Sequence, residues 1–108
     1  MYSFTDPPVH ALLLDADRGR ATEYAKELKG AGYQVVTATD VATALGLARQ
    51  SRPDIIFLHA GSTGSEGVSF LSQLRSDNLT RHIPVHLVLP SSLRELQRQR
   101  MIGVRYDS

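Results

Sequence analysis

The chain contains no cysteine, which excludes disulfide stapling, thiolate metal sites and thiol catalysis, and fits a reducing compartment. It also lacks an excess of either charge. Twelve Lys+Arg against eleven Asp+Glu leave a formal net charge of +1, so no global field draws the protein to nucleic acid or to an anionic membrane. Any charged partner must be met locally. No apolar run approaches membrane-spanning length, and the segment Met1 to Pro8 has neither the basic nor the apolar region of a signal peptide. The expectation is a soluble, cytoplasmic domain with no membrane partner. At 108 residues the chain has room for one core and none for an additional catalytic domain. Residues 1–8, ending in Pro7 and Pro8, read as a flexible leader, and residues 9–108 as the domain.

What is present is an alternation of short apolar runs and helix-period segments. Ala11-Leu12-Leu13-Leu14 is continuously apolar and suits a strand buried on both faces, ending at Asp15-Ala16-Asp17. Ala21, Tyr24, Ala25 and Leu28 recur at helical spacing, and Gly30 and Gly32 supply a stop before a second strand at Tyr33 to Thr37. Asp40 is placed to cap a helix whose Val41, Ala44, Leu45 and Ala48 share a face; Arg52-Pro53 ends it before a buried strand at Ile55 to Leu58. A small-residue loop from Ala60 to Gly67 leads to a third helix with Val68, Leu71 and Leu74 on one face. Ile83 to Leu89 reads as a fourth strand, Ser91 or Ser92 to Met101 as a fourth helix, and Val104 to Tyr106 as a fifth strand. Repeated strand-helix order predicts an α/β fold, a doubly wound parallel five-stranded sheet with helices on both faces. Ligands and chemistry in such a sheet collect beyond the carboxyl ends of the strands, where Asp15, His59 and Leu89 fall.

Four strings, Leu12-Leu13-Leu14-Asp15, Ala31-Gly32-Tyr33-Gln34-Val35-Val36-Thr37-Ala38, Arg52-Pro53-Asp54-Ile55-Ile56 and Arg81-His82-Ile83-Pro84-Val85, make the chain resemble the receiver domain of bacterial two-component response regulators over about Val9 to Tyr106. The resemblance implies a flavodoxin-like fold that takes a phosphoryl group on an aspartate with Mg²⁺ held by carboxylate oxygens. Several family positions depart from that pattern. The acceptor position is His59; the acidic pair falls on Asp15 and Ala16; the hydroxyl switch position is Leu89; and the chain ends at Ser108, before the usual lysine and fifth helix. Neutral imidazole is a poor ligand for a hard cation. The resemblance therefore implies a degenerate receiver, truncated after the fifth strand, that acts without aspartyl phosphorylation.

Asp15 and Asp17, with Glu66 from the loop beyond His59, form a residual acidic pocket, for which at most weak Mg²⁺ binding is expected. The competing expectation is that Asp15 bonds local backbone and Asp17 caps the first helix. No cofactor, resident metal or catalytic residue is expected, and His82 and His86, separated by Pro84 in a strand, do not make a metal pair. Gly61, Gly64 and Gly67 do not match a phosphate-binding P-loop. His59 itself reads as a polar residue at a strand end, bonded to backbone or water. The fourth helix would offer Arg94, Arg98 and Arg100, extended by Arg105, as a basic partner surface, and the face without a fifth helix would favour association, including a homodimer. The expected function is a non-enzymatic signalling or scaffolding module that meets a sensor kinase, another receiver or an attached output domain. The alternative is an atypical phosphotransfer domain with His59 as acceptor. Nucleic acid is an unfavoured partner, since no DNA-reading motif accompanies the arginines.

Overall fold

A computed structural model describes residues 8–59 and 65–88. Its elements in chain order are β1 (Val9–Leu14), α1 (Arg18–Gly30), β2 (Tyr33–Ala38), α2 (Val41–Ser51), β3 (Ile55–His59), α3 (Ser65–Ser76) and β4 (Val85–Val88). The strands form a four-stranded sheet in the order β2-β1-β3-β4. Every neighbouring pair is parallel. After β2 the chain crosses β1 and continues on its other side, so the order reverses between β1 and β3. In doubly wound sheets that reversal opens a crevice at the carboxyl ends of the two strands.

The helix boundaries follow from local chemistry. The Asp17 side chain accepts a hydrogen bond from the Arg20 N–H and caps α1, and Asp40 does the same for α2 through Thr43. Gly32, at φ +103°, makes the left-handed turn that leads α1 into β2. At the end of α2 the same kind of turn falls on Arg52, at φ 43° and ψ 68°, immediately before Pro53. This is a conformation in which an L side chain is strained.

The core lies in two layers separated by the sheet. On one side Leu12, Leu14, Ile56 and Leu58 meet Ala44, Leu45 and Ala48 of α2 and Phe70 and Leu74 of α3. On the other, Ala11, Leu13, Phe57 and Val88 meet Ala21, Ala25 and Leu28 of α1. Phe57 anchors this second layer, taking Tyr24, Tyr33 and His86 in edge-on contacts at centroid distances of 6.1, 5.6 and 5.5 Å. The α3–β4 connection is fastened by the buried Thr80 hydroxyl, which donates to the Leu74 carbonyl. Arg75 adds to this by donating to the carbonyls of Arg81 and Ile83. An Arg49–Asp77 ion pair joins α2 to the residue after α3.

Three sequence expectations are corrected. The third helix begins at Ser65, and its inward face is set by the 3–4-residue spacing of the buried Gly67, Phe70 and Leu74, while Val68 is 71% exposed. Glu66 therefore lies in the first turn of α3 and not in a loop. The fourth strand begins at Val85: Ile83 belongs to a turn, its N–H donating to the Thr80 carbonyl. The expected fourth helix and fifth strand lie outside the described residues.

Candidate functional site at the carboxyl ends of the first and third strands

Leu14 of β1 pairs with Leu58 of β3, so the next residues, Asp15 and His59, stand at the same height at the carboxyl rim. Both are buried, at 1% and 5% exposure. The backbone of Asp15 is held by its own N–H, which donates to the Ala38 carbonyl of β2 at 3.1 Å. His59 is the final residue of β3 and pairs in register with Val88 of β4.

The Asp15 carboxylate is enclosed by donors. Arg20 approaches as a fork, Nε to Oδ2 at 2.9 Å and Nη2 to Oδ1 at 2.8 Å. The Asp17 N–H donates to Oδ1 at 2.9 Å. Charge-assisted, bidentate pairs of this kind are among the stronger polar contacts in proteins. Asp17 completes the arrangement: its Oδ1 accepts from the Arg20 N–H at 2.9 Å, and its Oδ2 lies 3.8 Å from Arg20 Nη1. Arg20 thus joins both carboxylates of the β1–α1 loop while its side chain remains 33% exposed.

Burial alone would raise the Asp15 carboxyl. The Arg20 and Asp17 hydrogen bonds, then the charges of His59 and Arg20, outweigh it and hold the group below the ordinary aspartate range. Asp15 is an ionised carboxylate, and its compensating cation is supplied by the next helix.

The residues do not fit the Mg²⁺ that a receiver rim would hold. Mg²⁺ requires near-octahedral oxygen ligation and keeps water in its shell. Here both Asp15 oxygens face donors, Ala16 offers no side-chain oxygen, and the neighbouring strand ends in imidazole. Glu66 is exposed, and among the described residues no group of three or more His, Cys, Asp or Glu side chains is placed to hold a metal ion. The backbone-bonding role for Asp15 and the capping role for Asp17 are both realised. His82 and His86 are exposed, His86 packing against Phe57. Leu89, Arg94, Arg98, Arg100 and Arg105 lie outside the described residues.

Sequence reasoning passed over Arg20. Its signal is a cation five positions after Asp15, in the first turn of the following helix. Helical side chains lean toward the helix amino terminus, so a long one there reaches back to the strand end.

No protein-family model matches the chain. Response regulator PleD of Caulobacter vibrioides is 45% identical over 56 residues, covering 52% of this chain and 12% of that protein. The probable transcriptional regulatory protein TcrX of Mycobacterium tuberculosis is 32% identical over 71 residues, covering 66% and 30%. The chain thus spans less than a third of the length of either relative. Among solved structures, the chemotaxis response regulator CheY4 of Vibrio cholerae superposes with a TM-score of 0.69 at 23% identity, over 91% of this chain and 82% of that one. The N-terminal domain of a response regulator receiver protein from Methanoculleus marisnigri gives 0.70 at 19% identity, over 90% and 98%. At these identities the structures establish the fold. In addition, among the described residues, no helix is long and apolar enough to cross a membrane.

Proposed function

We propose that this chain, a member of the response-regulator receiver domains, works as a pseudo-receiver: a signalling module that is not phosphorylated on aspartate and acts through protein contacts. The observation that carries the reading is the buried His59 at the end of β3, level with an Asp15 whose carboxylate is already engaged by Arg20. Phosphoryl transfer to a receiver needs an acceptor carboxylate and cations to neutralise the transferring group. At this rim the strand-end residue is an imidazole, and the nearby guanidinium is bonded to Asp15. The module is non-enzymatic and needs no metal cofactor. Its partners are signalling proteins: a sensor kinase, another receiver, an attached output domain or a second copy of the chain. They recognise a preformed surface.

The test is incubation with acetyl phosphate and Mg²⁺, read by intact mass near neutral pH, where acyl phosphates and phosphohistidine survive. A phosphorylatable receiver serves as control. No mass gain is expected, and the amide spectrum should not change. A phosphoryl adduct on Asp15 or Asp17 overturns the reading. An adduct lost in His59→Ala replaces it with phosphotransfer through the imidazole.

A further inference from the structure

We infer that Arg20 is a tethered cation that takes the place of a divalent ion at the acidic rim and closes it to metal. The inference rests on the pseudo-receiver reading of this rim and extends it to what balances the charge of Asp15.

A carboxylate at 1% exposure demands compensation, which in proteins comes from a partner side chain or a bound metal. The β1–α1 loop supplies one internally. The guanidinium engages both oxygens of Asp15 through separate donors and lies within ion-pair range of Asp17, the only other carboxylate in the loop. An incoming divalent ion needs these same oxygens, so it must first displace Arg20. It then competes with a cation whose local concentration is fixed by five residues of chain, whereas a free ion is diluted in solution. The displaced guanidinium would leave behind only Asp15, Asp17 and water, with His59 a poor partner for a hard ion.

The capping of α1 reinforces the arrangement. Asp17 accepts from the Arg20 backbone N–H, which fixes the first turn of α1. Asp15 in turn accepts from the Asp17 N–H and the Arg20 side chain. The segment Asp15 to Arg20 is a closed ring of mutual contacts, so metal entry would disturb the start of α1 as well as the ion pair.

The full chain, ¹⁵N-labelled, is titrated with Mn²⁺, whose paramagnetism broadens amide signals near a bound ion. Wild type is compared with Arg20→Met, which keeps the apolar stem and removes the charge, and with Arg20→Gln, which keeps a shorter polar side chain. Amide dispersion reports whether each variant is folded. The expected result is selective broadening at Asp15 to Asp17 in a folded variant, at a Mn²⁺ concentration about tenfold or more below any that affects wild type, equivalent to removing one charge-assisted contact. Equal broadening in wild type overturns the inference, because the arginine then does not exclude the ion. Absence of broadening in a folded variant also overturns it, since something other than Arg20 closes the rim. If neither variant folds, Arg20 is required for the fold, and selective broadening of wild type remains the overturning result while its absence upholds closure. None of these outcomes depends on phosphorylation. A failure here leaves the acetyl phosphate result, and the reading it tests, standing separately.

Discussion

Asp15 and His59 stand level at the ends of adjacent strands, and the Asp15 carboxyl is held below the ordinary aspartate range, first by the hydrogen bond from Arg20 and then by that from the Asp17 N–H. The rim therefore pairs a buried carboxylate with a guanidinium, whereas a hard metal would need oxygen ligands that are not already engaged by donors.

Replacing Asp15 by Asn leaves the shape and removes the charge that Arg20 grips. Arg20 is partly exposed and regains water, so the loss should be modest, about 1–2 kcal/mol in urea denaturation at neutral pH. The pH dependence carries the sharper signature. Because folding lowers the Asp15 pKa, the stabilisation is fully present above the unfolded aspartate value, near pH 4, and is lost as pH falls through the lower folded value. Asp15→Asn should flatten this acid limb. Some slope should remain, since Asp40 and Asp77 are also lowered, chiefly by hydrogen bonds from Thr43 and Arg49 respectively.

Restoring an aspartate at the strand end should not restore a receiver. His59→Asp places a second carboxylate beside Asp15 in a buried rim with Arg20 already engaged. The expected cost is about 2–4 kcal/mol at pH 7. Burial and like charge raise the new group's pKa, so its contribution has the opposite sign to that of Asp15: its cost is absent while the group is protonated and grows as pH rises from the unfolded aspartate value, near pH 4, toward and through the raised folded value. Denaturation profiles across pH 4 to 8 would check this, and an unchanged slope would argue against a close Asp15 neighbour.

The left-handed turn at Arg52 offers a gain. Glycine there relieves about 1–2 kcal/mol of steric strain and adds about 0.5–1 kcal/mol of unfolded-state entropy. Arg52→Gly is thus expected to stabilise the fold by about 0.5–1 kcal/mol, seen as a higher thermal midpoint. Arg52→Val, with branching at Cβ, should move it downward.

Phe57 is the strongest packing test. Phe57→Leu removes three edge-on ring contacts while keeping an apolar side chain, for an expected loss of about 1–3 kcal/mol in denaturant unfolding. Phe57→Ala should cost about 3–5 kcal/mol.

Much of this architecture is legible in the sequence, because local rules and tertiary demands agree. Asp17 and Asp40 are capping residues by type and position, and both cap. The run from Ala11 to Leu14 has no polar face and is buried throughout. Agreement breaks at α3, where hydrophobicity alone favoured Val68; the face that packs carries Phe70 and Leu74, and helical periodicity then leaves Val68 outside. At Ile83 an apolar residue beside Pro84 looked like strand, yet it is buried from a turn. The rim was legible in its anionic members, since Asp15 and Asp17 adjoin in sequence. Arg20 was not, because its role depends on the direction a helical side chain takes from the first turn, which periodicity does not encode.

Leu12 and Leu13 are consecutive in the chain but belong to opposite sides of the sheet, one packed with α2 and α3 and the other with α1. The central strand is thereby a partition between two compartments that share a wall and little volume. Cavities cut on opposite sides should be nearly additive in their effects, whereas a pair on one side should couple through common neighbours. Two halves of one small core are thus open to separate variation: the layer under α1 can be repacked without reshaping the layer under α2 and α3.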